Sequence, residues 1–88
     1  MINNSTHPGD FLRVELGTRK ISQSALAKHI NVTPGVINQL CNGKRGISAV
    51  MAKKLAFAFG TTPELWMKLQ ASYDLARAKD PSFGKIQA

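Results

Sequence analysis

Side chains suited to nucleic-acid recognition are concentrated near the middle of this 88-residue chain. Asn38 and Gln39 stand side by side, and Lys44 and Arg45 follow a few positions later. A carboxamide can donate and accept hydrogen bonds at the edge of adenine in the major groove, and cationic side chains bind phosphate oxygens. These residue types at this spacing predict that bases and phosphates are bound by one segment.

The charges of the chain are unevenly distributed. Twelve Lys and Arg residues against five Asp and Glu give a formal net charge of +7. No acidic residue lies between Leu16 and Pro63, although the ordinary protein surface mixes charges of both signs. Such a stretch attracts phosphate polyanions first and anionic lipid second. A helical bundle with a solvated basic face is the plain structural alternative.

Several other classes of protein are disfavoured by what the chain lacks. Cys41 is the only cysteine, so no internal disulfide can form and a reducing cytoplasm is expected. His7 and His29 are far apart without neighbouring thiols or carboxylate pairs, and the acids are dispersed, so we expect no metal, no cofactor and no enzyme activity. No apolar run approaches the roughly 18 residues that span a bilayer, so no membrane segment is expected.

Helical periodicity and turn signals predict an all-α fold with five helices. Gly17 is expected to end the first helix, and the fifth is expected to reach about Lys79. Ser22, Thr33, Ser48 and Thr62 are expected to cap the second to fifth helices, with proline in the first turn of the first, third and fifth. We divide the chain into a flexible N-terminus at 1–6, a domain at 7–79 and a mobile tail at 80–88.

The second and third helices have the pattern of a helix-turn-helix. Only about three residues separate them, and Asn31 tolerates the left-handed backbone that a tight turn requires. Ala27 is small enough for a close helix crossing, while Ile37 and Leu40 face inward. The predicted base-reading residues are Thr33, Pro34, Gly35, Asn38 and Gln39, and the predicted phosphate contacts are Ser22, Gln23, Asn42, Lys44 and Arg45.

The fifth helix carries two apolar stripes, although a helix that packs on one side needs only one. We assign the stripe that contains Trp66, Leu69, Tyr73 and Ala76 to the core of the domain. The second stripe predicts a dimer interface, formed by Phe57, Met67, Ala71, Leu75 and Ala78, and the alternative is that both stripes are core. A two-fold dimer would place two recognition helices about 34 Å apart, one turn of DNA.

The sequence also resembles a known family, the phage-repressor-like (Xre) helix-turn-helix proteins and, more specifically, the HigA-type antitoxins. The similarity covers roughly residues 7 to 79. It is carried by the segments His7-Pro8-Gly9-Asp10, Ser22-Gln23-Ser24-Ala25-Leu26-Ala27, Asn31-Val32-Thr33-Pro34, Leu40-Cys41-Asn42-Gly43-Lys44-Arg45-Gly46-Ile47-Ser48, Gly60-Thr61-Thr62-Pro63-Glu64-Leu65-Trp66-Met67-Lys68-Leu69-Gln70 and Tyr73-Asp74-Leu75-Ala76.

This resemblance implies a five-helix, lambda-repressor-like domain that forms a homodimer. It implies that the dimer represses transcription at a palindromic operator of its own operon and neutralises an mRNA-cleaving HigB-type toxin. Asp10 stands where the family commonly has Glu, and Pro34-Gly35 stand where many relatives carry polar residues, so the operator sequence cannot be transferred.

Two alternatives to this function stay open. The first is a stand-alone prophage-type repressor without a toxin partner, which the neighbouring reading frame would distinguish. The second is an adaptor whose basic surface binds RNA or an acidic protein. RNA-binding modules expose stacking aromatic residues, whereas Phe11, Trp66 and Tyr73 fall on predicted inner stripes, which disfavours the adaptor.

Overall fold

The computed structural model describes residues 6–87, which form five helices and no strand. The helices are α1 (Pro8–Arg19), α2 (Gln23–His29), α3 (Pro34–Cys41), α4 (Ala49–Phe59) and α5 (Pro63–Arg77). This order confirms the predicted all-α class. Apart from Thr6, the predicted flexible N-terminus lies outside the described residues. Within residues 6–87, no helix combines the length and apolar character needed to cross a bilayer.

Side-chain caps begin four of the five helices. The hydroxyls of Ser22, Ser48 and Thr62 accept hydrogen bonds from backbone N–H groups three residues later, at 3.0 to 3.2 Å, as predicted. At α1 the cap is His7, whose buried Nδ1 accepts from Gly9 N–H at 2.8 Å. Thr33 occupies the capping position of α3, as predicted. Its hydroxyl makes no capping hydrogen bond, so the prediction of a side-chain cap is wrong there.

Three helix ends differ from the sequence prediction. Helix α1 continues past Gly17 to Arg19, and Lys20 adopts the left-handed conformation with φ of 56°. Arg19 explains the extra residues, because its guanidinium donates to the Phe59 carbonyl at 2.9 Å and so ties the end of α1 to α4. The second helix is expected from its apolar stripe to run through Ile30, but α2 ends at His29, one residue earlier. Helix α5 ends at Arg77, so Ala78 and Lys79 lie beyond it.

One core holds all five helices together. Trp66 is fully buried at its centre, where it contacts the rings of Phe11 and Phe59 and donates its indole N–H to Thr61 Oγ1 at 2.9 Å. The other members of the buried core cluster are Leu12, Leu16, Leu26, Ala27, Ile30, Ile37, Leu40, Cys41, Ile47, Met51, Ala52, Leu55, Ala56 and Phe59.

The aromatic stripe of α5 is core only at its amino end. Trp66 is buried, but Leu69 and Tyr73 are half-buried and Ala76 is exposed, so the predicted core stripe is too long. The Tyr73 ring instead meets the buried His7 ring edge to face, with centroids 4.7 Å apart. The end of α5 therefore extends beyond the rest of the core.

Helix α1 lies unusually close to the end of α3. A Cβ atom at Gly9 would collide with the backbone carbonyl of Leu40. Because a carbonyl in a helix cannot rotate away, only glycine allows this approach. The contact sets the position of α3, on which the predicted base-reading residues lie.

Candidate nucleic-acid interface

Helices α2 and α3 pack against each other. Ala27 of α2 and Ile37 of α3 are both fully buried. The turn between them is closed by Val32 N–H, which donates to the Ala27 carbonyl at 2.9 Å. Asn31 has a left-handed φ of 60°, as predicted. This packing leaves one side of α3 facing outward.

Three carboxamides on that outward side form a hydrogen-bonded row. Asn38 Nδ2 donates to Gln23 Oε1 at 3.4 Å, and Asn42 Nδ2 donates to Asn38 Oδ1 at 3.2 Å. The row joins Gln23, the first residue of α2, to Asn38 in the middle of α3 and to Asn42 just after the end of α3. Each bonded amide group keeps a further N–H or a further oxygen lone pair for another partner. Asn38 is therefore held in place while it can still bond to a base edge.

Gln39, the other outward-facing amide of α3, is bonded to the loop that follows the helix. Arg45 Nε donates to Gln39 Oε1 at 3.0 Å. The loop after α3 turns back towards the helix because Gly43 has a left-handed φ of 72° and Lys44 N–H donates to the Gln39 carbonyl at 2.9 Å. Together, the exposed or half-buried side chains of Gln23, Asn38, Gln39, Asn42 and Arg45 form what we call the reading surface.

The remaining predicted contacts lie around the reading surface. Thr33, Pro34 and Gly35 are exposed at the amino end of α3, and no atom lies within 4 Å of the position that a Gly35 Cβ would take. The Ser22 oxygen accepts the capping bond from Ala25, which leaves its O–H to donate to a phosphate. Lys44 is exposed beside Arg45.

Gln70 contributes to this site although the sequence analysis did not assign it a role there. Its Oε1 accepts from Ile47 N–H at 2.7 Å, and a Cβ at Gly46 would lie 3.1 Å from the same oxygen. Its amide nitrogen donates to Asp74 Oδ1 at 2.9 Å. The basic loop is therefore held by α5. A glutamine 23 positions away gives no local signal of this contact.

Other residues singled out from the sequence have structural roles. Cys41 is buried, and burial raises the pKa of its thiol even though the nearby Arg13 charge opposes the shift. A protonated, inaccessible thiol is a poor nucleophile, which agrees with the predicted packing role. Within residues 6–87, no three His, Cys, Asp or Glu side chains are grouped closely enough to hold a metal ion.

The residues predicted for the dimer interface are exposed on two different surfaces. On α5, Met67 and Leu75 are 38% and 76% exposed, and Ala71 is also exposed. Ala78 is exposed but follows the end of the helix, so it is not part of the helical stripe. Phe57, 85% exposed, lines a groove of about 370 Å³ between the end of α2 and α4, together with His29, Ile30, Lys53, Lys54 and Ala58.

Comparison with known proteins shows which proteins this chain is similar to. A helix-turn-helix family model matches residues 12–66. The chain is 39% identical over 87 residues to virulence-associated protein A' of Dichelobacter nodosus. The matched region covers 98% of this chain and 76% of that protein.

Solved structures of similar sequence have the same fold. An addiction module antidote protein of a HigA family from Coxiella burnetii is 44% identical, with a TM-score of 0.78, and the match covers 81% of this chain and 78% of that one. The Pseudomonas aeruginosa antitoxin HigA, solved with the higBA promoter, is 42% identical, with a TM-score of 0.80, and the match covers 82% and 79% of the two chains.

Proposed function

This chain belongs to the helix-turn-helix family, with HigA antitoxins among its similar structures, and we propose that it is a DNA-binding repressor and the antitoxin of a toxin–antitoxin pair. In this proposal it acts in the cytoplasm, binds its own operator as a dimer and neutralises a HigB-type toxin. We take residues 7–79 as the functional domain and assign no role to the predicted tail at 80–88.

The observation that carries the DNA-binding part is the reading surface. Side-chain hydrogen bonds orient its amides before any ligand arrives, so less conformational entropy is lost on binding. Asn38 and Gln39 lie on the outward side of a helix of a size that the major groove admits. Thr33, Pro34 and Gly35 line the amino end of the same helix and would approach bases there.

Phosphate contacts complete the DNA site on both sides of the bases. Ser22 and Gln23 would bind one strand, and Asn42, Lys44 and Arg45 would bind the other. These contacts hold the protein in register and contribute affinity that does not depend on sequence. The absence of acidic residues from Leu16 to Pro63 favours this contact, since no carboxylate of that stretch repels the phosphates.

The exposed apolar stripe of α5 supports a dimer. Met67, Ala71 and Leu75 recur at helical spacing on the outer side of α5, with Ala78 just beyond its end. A two-fold axis beside α5 would pair these stripes. We leave Phe57 out of this contact, because its groove is lined by Lys53 and Lys54 and by no residue of α5.

Selection from a random duplex library tests the proposed function. The wild-type chain should enrich a palindrome whose half-sites are about one helical turn apart. If about six phosphates are contacted per dimer, the logarithm of the binding constant should fall against the logarithm of salt concentration with a slope of about -5. Binding that stays unchanged between 50 and 200 mM salt, on every duplex tried, would contradict the proposal.

The toxin part needs a separate experiment. An adjacent toxin-sized reading frame should encode a protein that arrests growth alone and is neutralised by co-expression of this chain. A purified mixture of the two proteins should elute as one complex. If the neighbouring reading frames encode nothing toxic, the chain is a stand-alone repressor, and the DNA-binding part of the proposal is unaffected.

A further inference from the structure

The Arg45 side chain determines which atoms Gln39 can offer to DNA. We propose that Gln39 and Arg45 act as one unit that recognises guanine, rather than as an adenine-reading amide and a separate phosphate contact. This inference rests on the DNA-binding function proposed above. It changes the roles that the sequence alone suggests for both residues.

The hydrogen bond between the two side chains determines the orientation of the Gln39 amide. The Arg45 Nε can only donate, so the Gln39 atom 3.0 Å away must be the oxygen. An unpaired glutamine can present either its oxygen or its NH₂ group to a base. In this pair the oxygen faces the Arg45 cation, which occupies one of its two lone pairs, and both N–H groups of the NH₂ remain for the ligand.

The Arg45 guanidinium adds further donors next to that NH₂ group. Its bond to Gln39 uses Nε, and the terminal nitrogens Nη1 and Nη2 carry the remaining N–H groups. The pair therefore presents several donors and a positive charge. The row of Gln23, Asn38 and Asn42 differs, because its hydrogen bonds join neutral amides and no member of the row carries a charge.

Among the base edges in the major groove, guanine fits this arrangement best. Guanine presents two acceptors there, N7 and O6, whereas adenine presents one acceptor and the donor group N6–H₂. An adenine at this position would direct its amino group towards the guanidinium. Guanine would accept from Gln39 and Arg45 together, with the strength of a charge-assisted bond.

The loop backbone holds Arg45 beside Gln39. On one side of Arg45, Lys44 N–H donates to the Gln39 carbonyl at 2.9 Å. On the other side, Ile47 N–H donates to Gln70 Oε1 at 2.7 Å. Arg45 thus lies between two anchored points, which reduces the entropy it would lose when it binds a base. A cation needed only for phosphate contact would not require this support.

Parallel selections with four proteins test the inference: the wild-type chain, Gln39→Ala, Arg45→Ala and, as a matched control, Lys44→Ala. The wild-type chain should enrich a guanine at one position of each half-site. Gln39→Ala and Arg45→Ala should lose preference for that same guanine, each by between about 5-fold and 100-fold. Lys44→Ala removes the neighbouring exposed cation, and it should weaken binding without changing the preferred base. Circular dichroism checks that all four proteins are folded.

Two further measurements separate a joint unit from two independent contacts. The double variant should lose no more guanine preference than either single variant, because either change removes the unit. In the wild-type complex, 7-deazaguanine at the same position should weaken binding, since it lacks the N7 acceptor.

Three results would overturn the inference. The Gln39→Ala variant could lose an adenine preference, the Arg45→Ala variant could keep the guanine preference, or the effects of the two single variants could multiply. If the wild-type chain enriches no sequence at all, the proposed DNA-binding function fails together with the guanine inference. If it enriches a palindrome without that guanine, only the guanine inference fails.

Discussion

The reading surface and the outer side of α5 have opposite chemistry, although both are built on one core. On the reading surface, neighbouring polar side chains bond to one another before a ligand arrives. On α5, Leu75 is 76% exposed, and an exposed apolar side chain is stabilised only when another apolar surface covers it. This difference indicates that the first surface is suited to the polar edges of bases and the second to a protein. Substitutions on each surface test this assignment.

The largest effect should come from placing a charge on the exposed apolar stripe of α5. Leu75→Asp should convert the dimer to a monomer and lower operator affinity by about 100-fold or more, because the two half-sites would no longer be bound by one linked unit. Sedimentation velocity and an operator titration measure the two effects.

Val14→Asp is the matched control for this charge. Val14 is 57% exposed on α1, so the same type of substitution is made on a helix that contributes no residue to the proposed interface. It should leave both the dimer and operator affinity unchanged. If Leu75→Asp stays dimeric, the α5 stripe is not the dimer contact.

The support behind the reading surface should affect the stability of the fold rather than the dimer. Gly9→Ala should lower the free energy of unfolding by about 3 kcal/mol, because the new methyl group would meet the Leu40 carbonyl and force α1 away from α3. Gly17→Ala is the control in the same helix. No atom lies within 4 Å of its Cβ position, so it should raise stability by about 0.5 to 1 kcal/mol. Urea denaturation distinguishes these opposite signs, and equal effects would refute the close contact.

On the reading surface itself, Asn38→Ala should weaken operator binding by about 2 kcal/mol and relax the preference at particular base pairs. Its side chain is exposed, so the free energy of unfolding should change by less than about 1 kcal/mol. Affinity measured on a panel of single-base operator variants checks this result. A uniform loss across the panel would mean that Asn38 contacts only the DNA backbone.

The smallest effect is expected for Lys44→Ala. It should weaken binding to all sequences alike and reduce the magnitude of the salt slope by about 1 for each phosphate that the variant no longer binds. A salt titration on operator and on unrelated DNA measures both slopes. An unchanged slope would indicate that Lys44 binds no phosphate.

The helices could be predicted from the sequence because their signals are local. The hydroxyls of Ser22, Ser48 and Thr62 act on backbone groups three residues away, and the buried positions recur with helical period. The end of α1 could not be predicted in this way. Gly17 has the residue type of a stop, but the bond from Arg19 to the distant Phe59 carbonyl favours two more residues of helix.

Within the reading surface, the residue types could be predicted from the sequence, whereas their hydrogen bonding could not. Which residues of α3 face outward follows from helix periodicity. The bond from Arg45 to Gln39 depends on the path of the loop, and that path depends on Gln70 of α5 and on the left-handed Gly43. Gln70 lies 23 positions after Ile47, so their hydrogen bond depends on how α5 packs against the loop. A local sequence pattern cannot predict such a contact.

The most direct test of DNA binding at the reading surface is a titration of the isotope-labelled protein with the selected operator, followed by NMR of the side-chain amide groups. The signals of Gln23, Asn38, Gln39 and Asn42 should shift on binding. Gln70 has the same chemical group, but its amide is bonded to Ile47 and Asp74, so its signals should shift much less. Unchanged signals from Asn38 and Gln39, with shifts confined to α5, would contradict the assignment of DNA to the reading surface.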